Sequence, residues 1–165
     1  MARLPYVKGI SWIELSVVLV IYGVILAVLV NRLLYYQELA EKTSAEYVAV
    51  VLKSALREKM AELILDNREI AIPALAEQNP VSWLERPPAS YCGEVNGDPD
   101  LNMPAGCWYY DRGGKIMTYL ANNTGHFLPD SSGRKRIRYR LVVLPGGQGT
   151  PGVDMQLAEP YHWFE

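Results

Sequence analysis

The sequence predicts an α+β fold in which a long amino-terminal helix packs on a small antiparallel β-sheet. Helical periodicity continues from Ile10 to about Asp66, with Gly23 as its only glycine and no proline. The last third of the chain alternates apolar and polar residues between turn signals, as strands do. The second half of the helix and the sheet each have one apolar face, and packing the two together covers both.

The first part of this helix is apolar on every side. Residues Ile10 to Val30 contain one charge, Glu14, in 21 positions. About 20 such residues span a bilayer core of roughly 30 Å. No small-residue cleavage site follows Val30, and the run is longer than the roughly 7–15 apolar residues of a secretory signal. A retained transmembrane helix over residues 10–30 is therefore predicted.

The basic residues predict the orientation of this segment. Residues 1–9 contain Arg3 and Lys8 and no acid. The twenty residues after the apolar run, 31–50, mix basic side chains with Glu38, Glu41 and Glu46. Positive flanks stay in the cytoplasm, so the carboxyl-terminal part is expected outside it.

The helix is expected to continue beyond the membrane as an amphipathic extension over residues 31–66. Apolar residues at spacings of three and four line one face of it: Val48, Leu52, Ala55, Leu56, Met60 and Leu63. This stripe is predicted to face the sheet.

Residues 67–165 are predicted to form the globular domain. Within the connecting stretch 67–106, Asn79-Pro80 begins a short helical turn and residues 94–102 form a turn-rich loop. Four segments are predicted strands. Trp108–Tyr110 and Ile116–Leu120 form a hairpin, and 136–144 and 153–157 follow it.

Cys92 and Cys107 are the only cysteines, and fourteen residues separate them. An even number of cysteines in an oxidising compartment favours one disulfide over two buried thiols. Without a nearby pair of histidines, a structural zinc site is not expected.

The amino terminus carries a recognisable arrangement. Lys8-Gly9-Ile10 is followed by Glu14 and then by the apolar run. This resembles the signal of type IV pilins and type II secretion pseudopilins: a basic residue, glycine, an apolar residue, three further residues, glutamate and a hydrophobic run. Beyond residue 36 the resemblance is architectural, to the pilin-like fold of a long helix on a small sheet.

The resemblance implies cleavage by a prepilin peptidase between Gly9 and Ile10, followed by N-methylation of Ile10. It also implies partners, namely other pilins or pseudopilins and an inner-membrane assembly platform. The resemblance further implies that the chain is first located in a bacterial inner membrane, with its amino terminus in the cytoplasm and its carboxyl-terminal domain in the periplasm. It would then be incorporated into a pilus or pseudopilus filament. Many members of the family have a proline at the position that Asn31 occupies in this chain. That absence and the Trp108 hairpin favour a minor subunit.

Glu14 has a physical reading of its own. A carboxylate in an apolar helix costs a few kcal/mol and generally finds a partner. The nearest candidate is the amine that cleavage would create at Ile10, in the same chain or a neighbour. A glutamate that reaches the lipid headgroups is the simpler alternative.

Two weaker candidate sites remain. Arg136, Arg138 and Arg140 share one face of a predicted strand and could meet nucleic-acid phosphates, although the net charge of −2 makes nucleic acid an unlikely partner. Asn96, Asp98 and Asp100 alternate oxygen ligands as calcium sites do, but an ordinary polar turn is the favoured interpretation, because the glycine and glutamate of an EF-hand do not follow.

The composition narrows the class of function. Half of the residues are hydrophobic and 21% are charged, which excludes a disordered chain. No arrangement of His126, His162 and nucleophiles indicates catalysis, so no enzyme and no cofactor is expected. The expected function is a structural filament subunit. A membrane-anchored periplasmic binding domain that does not polymerise is the alternative.

Overall fold

The computed structural model describes residues 11–99, 102–146 and 151–164. The chain divides into two compact units, Met1–Gln37 and Glu38–Glu165. One helix, α1 (Trp12–Leu65), has residues in both. The α+β fold class is confirmed, and so is the long helix predicted to end near Asp66.

In the first unit, α1 is the only described element. It is long and apolar enough to cross a membrane by length and composition, and none of its most apolar stretch is buried within the protein.

In the second unit, α1 buries one face against the sheet. Its buried apolar residues are Ala45, Val48, Ala49, Leu52, Ala55 and Leu56, and Met60 and Leu63 pack at the edge of the same core. The predicted apolar stripe is therefore confirmed. The helix ends because Asn67 adopts a left-handed conformation (φ 55°) and the Arg68 N–H bonds back to the Leu63 carbonyl at 2.8 Å.

Two 3₁₀ helices follow, Glu69–Glu77 and Pro80–Trp83. The second confirms the Asn79-Pro80 signal: the Asn79 side-chain oxygen accepts from the Val81 N–H at 3.0 Å. The first was not predicted, because Pro73 lies inside it and the segment has no clear α-helical period.

Five strands form one sheet in sequence order: β1 (Tyr91–Val95), β2 (Cys107–Asp111), β3 (Ile116–Leu120), β4 (Arg136–Leu144) and β5 (Gly152–Leu157). The hairpin and the two later strands were predicted. The sheet is mixed rather than wholly antiparallel, because β1 runs parallel to β2.

Strand β1 was the error in the sequence prediction, which assigned residues 94–102 to a loop. Its pairing with β2 shifts register between Tyr91 and Gly93, and Gly93 has a φ of 122°. The strand has only five residues, and a central glycine followed by Asn96-Gly97 is typical of a turn, so the segment does not look like a strand in the sequence.

The predicted disulfide joins the two parallel strands. Cys92 on β1 is bonded to Cys107 on β2, with 5.7 Å between their Cα atoms. It therefore holds the edge strand to the sheet and closes the loop that includes residues 96–106.

Removing this bond in the double variant Cys92→Ser/Cys107→Ser is expected to lower the free energy of unfolding by about 3 kcal/mol, because the unfolded chain regains the conformational entropy that a closed loop of this length loses. Chemical denaturation of the full chain in detergent measures it. Ser131→Ala, at an exposed position in another loop, serves as a control substitution. An unchanged free energy of unfolding would contradict the structural role given to the disulfide.

Candidate functional site

The amino-terminal part of α1 presents apolar side chains on all sides. Every residue from Ser11 to Gln37 is exposed, including Trp12 (87%) and Tyr22 (68%). A surface of this composition is unstable in water, since roughly 25 cal/mol is lost for each Å² of exposed apolar area. The segment needs lipid or protein around it.

Glu14 lies in the first turn of α1 and is exposed. No described residue forms an ion pair with it, whereas the nearby Ser16 hydroxyl is satisfied by the Ile13 carbonyl at 2.8 Å. The predicted processing residues Gly9 and Ile10 lie outside the described residues.

Further along α1, Glu38 is a buried carboxylate, only 4% exposed. Its Oε1 accepts from the His126 backbone N–H at 2.8 Å and from the Trp163 indole N–H at 3.0 Å. Its Oε2 lies 2.8 Å from His126 Nδ1, which donates because an ionised carboxylate only accepts. Gly125 permits this approach, since a Cβ there would lie 3.1 Å from Oε2.

Glu41, one turn further along α1, binds the same loop through three contacts and strand β3 through a fourth. Its carboxylate accepts from the backbone N–H groups of Asn122 at 2.6 Å and Asn123 at 2.8 Å, and from the Asn123 amide at 2.7 Å. It also accepts from the Tyr119 hydroxyl at 3.0 Å. Loop 121–127 is thereby fastened to the helix at both of its ends.

The end of the chain, residues 161–164, is held to α1 as a carboxyl-terminal strap. Lys42 Nζ donates to the Trp163 carbonyl at 2.8 Å, and the Tyr161 hydroxyl donates to Glu46 at 2.9 Å. The strap also pairs with the loop, since Trp163 forms a β-bridge with Phe127. Loop, strap and helix together form one polar cluster.

Two opposing effects act on the pKa of Glu38. Burial raises it, but the hydrogen bonds from His126 and Trp163 outweigh burial, and the net pKa is lowered from its usual 4.5. For Tyr119 and Tyr161 burial and a neighbouring carboxylate act together and raise the pKa of each hydroxyl. Glu38 is therefore ionised, and the hydroxyls of Tyr119 and Tyr161 are neutral, at pH 7.

The sequence analysis missed this cluster, because it used the acids after the apolar run only to orient the membrane segment. A signal was present. Glu38 and Glu41 lie seven residues before Ala45 and Val48, and residues seven apart share a helix face. Acidic residues on the same helix face as the buried apolar stripe are expected to be buried as well, and buried carboxylates need hydrogen-bond donors.

The structure shows how the predicted arginine row on β4 is paired. Arg136 is only 6% exposed, and it contacts Asp130 at 2.7 Å and Asp98 at 2.5 Å. Arg138 pairs with Glu159 at 2.9 Å, and Arg140 alone of the three is exposed. Acidic side chains thus neutralise two of the three arginines, which does not favour the row as a binding surface for phosphates.

Among the calcium candidates, one carboxylate is already paired with arginines. Asp98 is occupied by Arg134 at 2.8 Å and by Arg136, Asn96 is exposed, and Asp100 lies outside the described residues. Among the described residues no group of three or more histidine, cysteine or acidic side chains could hold a metal ion. Asp98 binds Arg134 and Arg136 at the start of β4, and a cation would have to displace these two arginines.

Comparison of the chain with known protein families, with curated proteins and with solved structures finds no match.

Replacing Glu38 by Gln is expected to destabilise the second unit by about 1–3 kcal/mol at pH 7, because buried donors lose an ionised acceptor. Since the pKa of Glu38 is lowered on folding, its contribution is full above about pH 4.5 and is lost as the pH falls through the folded-state pKa. Melting the full chain in detergent from pH 7 to pH 3 measures both effects.

The matched control is Glu58→Gln, an exposed acid on the same helix. It should melt like the unmodified chain. If Glu38→Gln melts like the control at pH 7 and loses the same stability in acid, Glu38 does not hold the loop and strap.

Proposed function

We propose that this chain is a pilin-like subunit of a type IV pilus or type II secretion filament, made as a membrane precursor and assembled through α1. The observation that carries the proposal is the contrast along one helix. Trp12–Leu65 is unbroken, its first part is exposed and apolar, and its second part is packed on a sheet. The leader motif at Gly9 and Glu14 is the second support.

The contrast fits a subunit that changes surroundings. While the precursor waits, lipid covers the apolar segment. On assembly the same surface passes to neighbouring helices, so extraction does not expose it to water. The folded second unit needs no rearrangement for this step, because its own core is closed by residues that follow Gln37.

In this proposal Glu14 sets the axial register between the packed helices of neighbouring subunits. Within lipid its carboxylate is costly, and pairing with the Ile10 amine of a neighbour removes that cost at one axial position only. A simple anchor gains nothing from such a residue. The expectation of a minor subunit, and the choice between pilus and secretion system, stay predictions.

Processing is the first test. Co-expression with a prepilin peptidase should yield a chain that begins at Ile10, nine residues shorter than the precursor. Mass spectrometry of the amino terminus measures this. The Gly9→Leu variant should stay uncut, since the bulky side chain blocks access to the bond. An intact Met1, or a start other than Ile10, would refute the pilin assignment.

Assembly is the second test. Glu14→Ala should leave membrane insertion unchanged and reduce recovery of the chain in sheared filaments or with other pilins by about tenfold, the factor for loss of one weak buried pairing. Glu58→Ala, beyond the membrane segment, is the control. If Glu14→Ala assembles normally, the register role is wrong. If neither the variant nor the unmodified chain is ever recovered in an assembly, the non-polymerising anchor is favoured.

A further inference from the structure

Strand β5 is the last strand of the sheet, and its outer edge is open. It pairs with β4 on one side. No other segment in the described part of the chain forms a backbone hydrogen bond with residues 152–157. Buried backbone N–H and C=O groups are almost always paired, so the outer groups of β5 face water or a further strand.

This edge lacks the features that normally prevent further pairing. Exposed edge strands are commonly very short, bulged or supplied with lysine or proline. Strand β5 has six residues and contains neither lysine nor proline. It pairs with β4 in an unbroken register from Gly152 to Leu157. Its outer backbone therefore offers a regular row of donors and acceptors to another strand.

The opposite edge of the sheet, strand β1, is blocked. It has five residues, its register with β2 shifts before Gly93, and the disulfide at Cys92 ties it to β2. Its one charged residue, Glu94, accepts a hydrogen bond from the Asn79 amide at 2.7 Å. Of the two edges, β5 is therefore the one suited to receive a strand.

The core face of β5 shows which side chains an added strand needs there. Val153 and Met155 point into the core and are 3% and 1% exposed. Leu157 follows on the same face, because side chains alternate along a strand, yet it is 45% exposed. Apolar residues on an added strand would lie beside these three side chains and cover Leu157.

The other face of β5 carries one charge, the carboxylate of Asp154. Its neighbour on β4 is Val142, and within β5 it accepts from the Gln156 amide at 3.2 Å. Among residues 11–99, 102–146 and 151–164 no cation forms an ion pair with it. A basic residue opposite Asp154 on an added strand would be attracted, and an acidic one repelled.

These charges disfavour a second copy of the chain as the source of the strand. Its own open edge, β5, would bring a second Asp154 to the first, and its β1 edge is bulged and carries Glu94. We propose that β5 binds an extended segment of another protein, with apolar residues on the core face and a basic residue opposite Asp154. Backbone hydrogen bonds would supply the affinity and the alternating side chains the specificity. The inference does not depend on the filament assignment.

Peptide titration tests this edge. The probe is a synthetic peptide that matches the six residues of β5 in length and alternates valine with threonine, with one central threonine replaced by lysine. A matched peptide has glutamate in place of lysine, and a third is N-methylated at every backbone nitrogen. NMR spectra of the isotope-labelled full chain in detergent follow the backbone amides of β5 and of β1.

The expected result is a shift of the β5 amides, with slower hydrogen exchange, on addition of the lysine peptide. The lysine peptide should bind about fivefold more tightly than the glutamate peptide, the factor for exchanging an attractive for a repulsive cross-strand pair. The N-methylated peptide should leave the β5 amides unchanged, because it has no backbone donors. The amides of β1 should not move with any peptide.

A charge reversal tests the role of Asp154. Asp154→Lys should reverse the preference, so that the glutamate peptide binds more tightly than the lysine peptide. Glu85→Lys changes the net charge equally at an exposed position outside β5 and should keep the original preference. Both variants should melt like the unmodified chain, which separates altered binding from altered folding.

Each remaining outcome overturns a stated part of the inference. Unchanged β5 amides with every peptide, up to the limit of peptide solubility, would overturn the edge as a binding site. Equal binding of the lysine and glutamate peptides would overturn the basic partner residue. Shifts of the β5 amides on raising the concentration of the chain alone would assign the edge to a second copy. None of these results bears on processing at Gly9, so the proposed function stands or fails separately.

Discussion

The second unit depends on the buried carboxylate of Glu38. Its carboxylate has three polar contacts, and that of Glu41 one turn away has four. Six of these seven fix a loop and residues 161–164, which have almost no regular structure of their own. A buried charge left without these donors would cost several kcal/mol. The helix, the loop and the strap therefore fold together, because each satisfies groups that the others bury.

This arrangement satisfies charges that lie at the edge of an apolar core. Glu38, Glu41, Lys42 and Glu46 of α1 all contact the loop, the strap or strand β3. The buried face of the same helix from Ala45 to Leu56 is apolar and packs in the core. The polar cluster therefore stabilises the unit at the point where the apolar packing of α1 begins.

The parts of the fold that repeat were predictable, and the parts fixed by single contacts were not. The α1 stripe, the β2–β3 hairpin and β4 carry periods of 3.6 or 2, which burial on one side imposes. Strand β1 has only five residues with Gly93 at its centre, so its period is too short to be recognised beside the turn residues that follow it. The alternation in β4 correctly placed its arginines on one face. It could not show that Asp98 and Asp130, distant in sequence, neutralise Arg136 there.

Glu14 and Glu38 are the same residue type on the same helix, and the comparison between them bears on function. Glu38 is buried by its own chain and is met by three donors within 3.0 Å. Glu14 has no ion-pair partner among the described residues, in a segment whose apolar surface excludes water once it is covered by lipid or protein. Because a carboxylate is as costly in one setting as in the other, the chain that satisfies the second so completely leaves the first to be satisfied from outside the described residues. Under the proposed function, the Ile10 amine of the same chain or of a neighbouring subunit would supply that cation, and the leader motif and assembly would then depend on the same physical rule that closes the second unit.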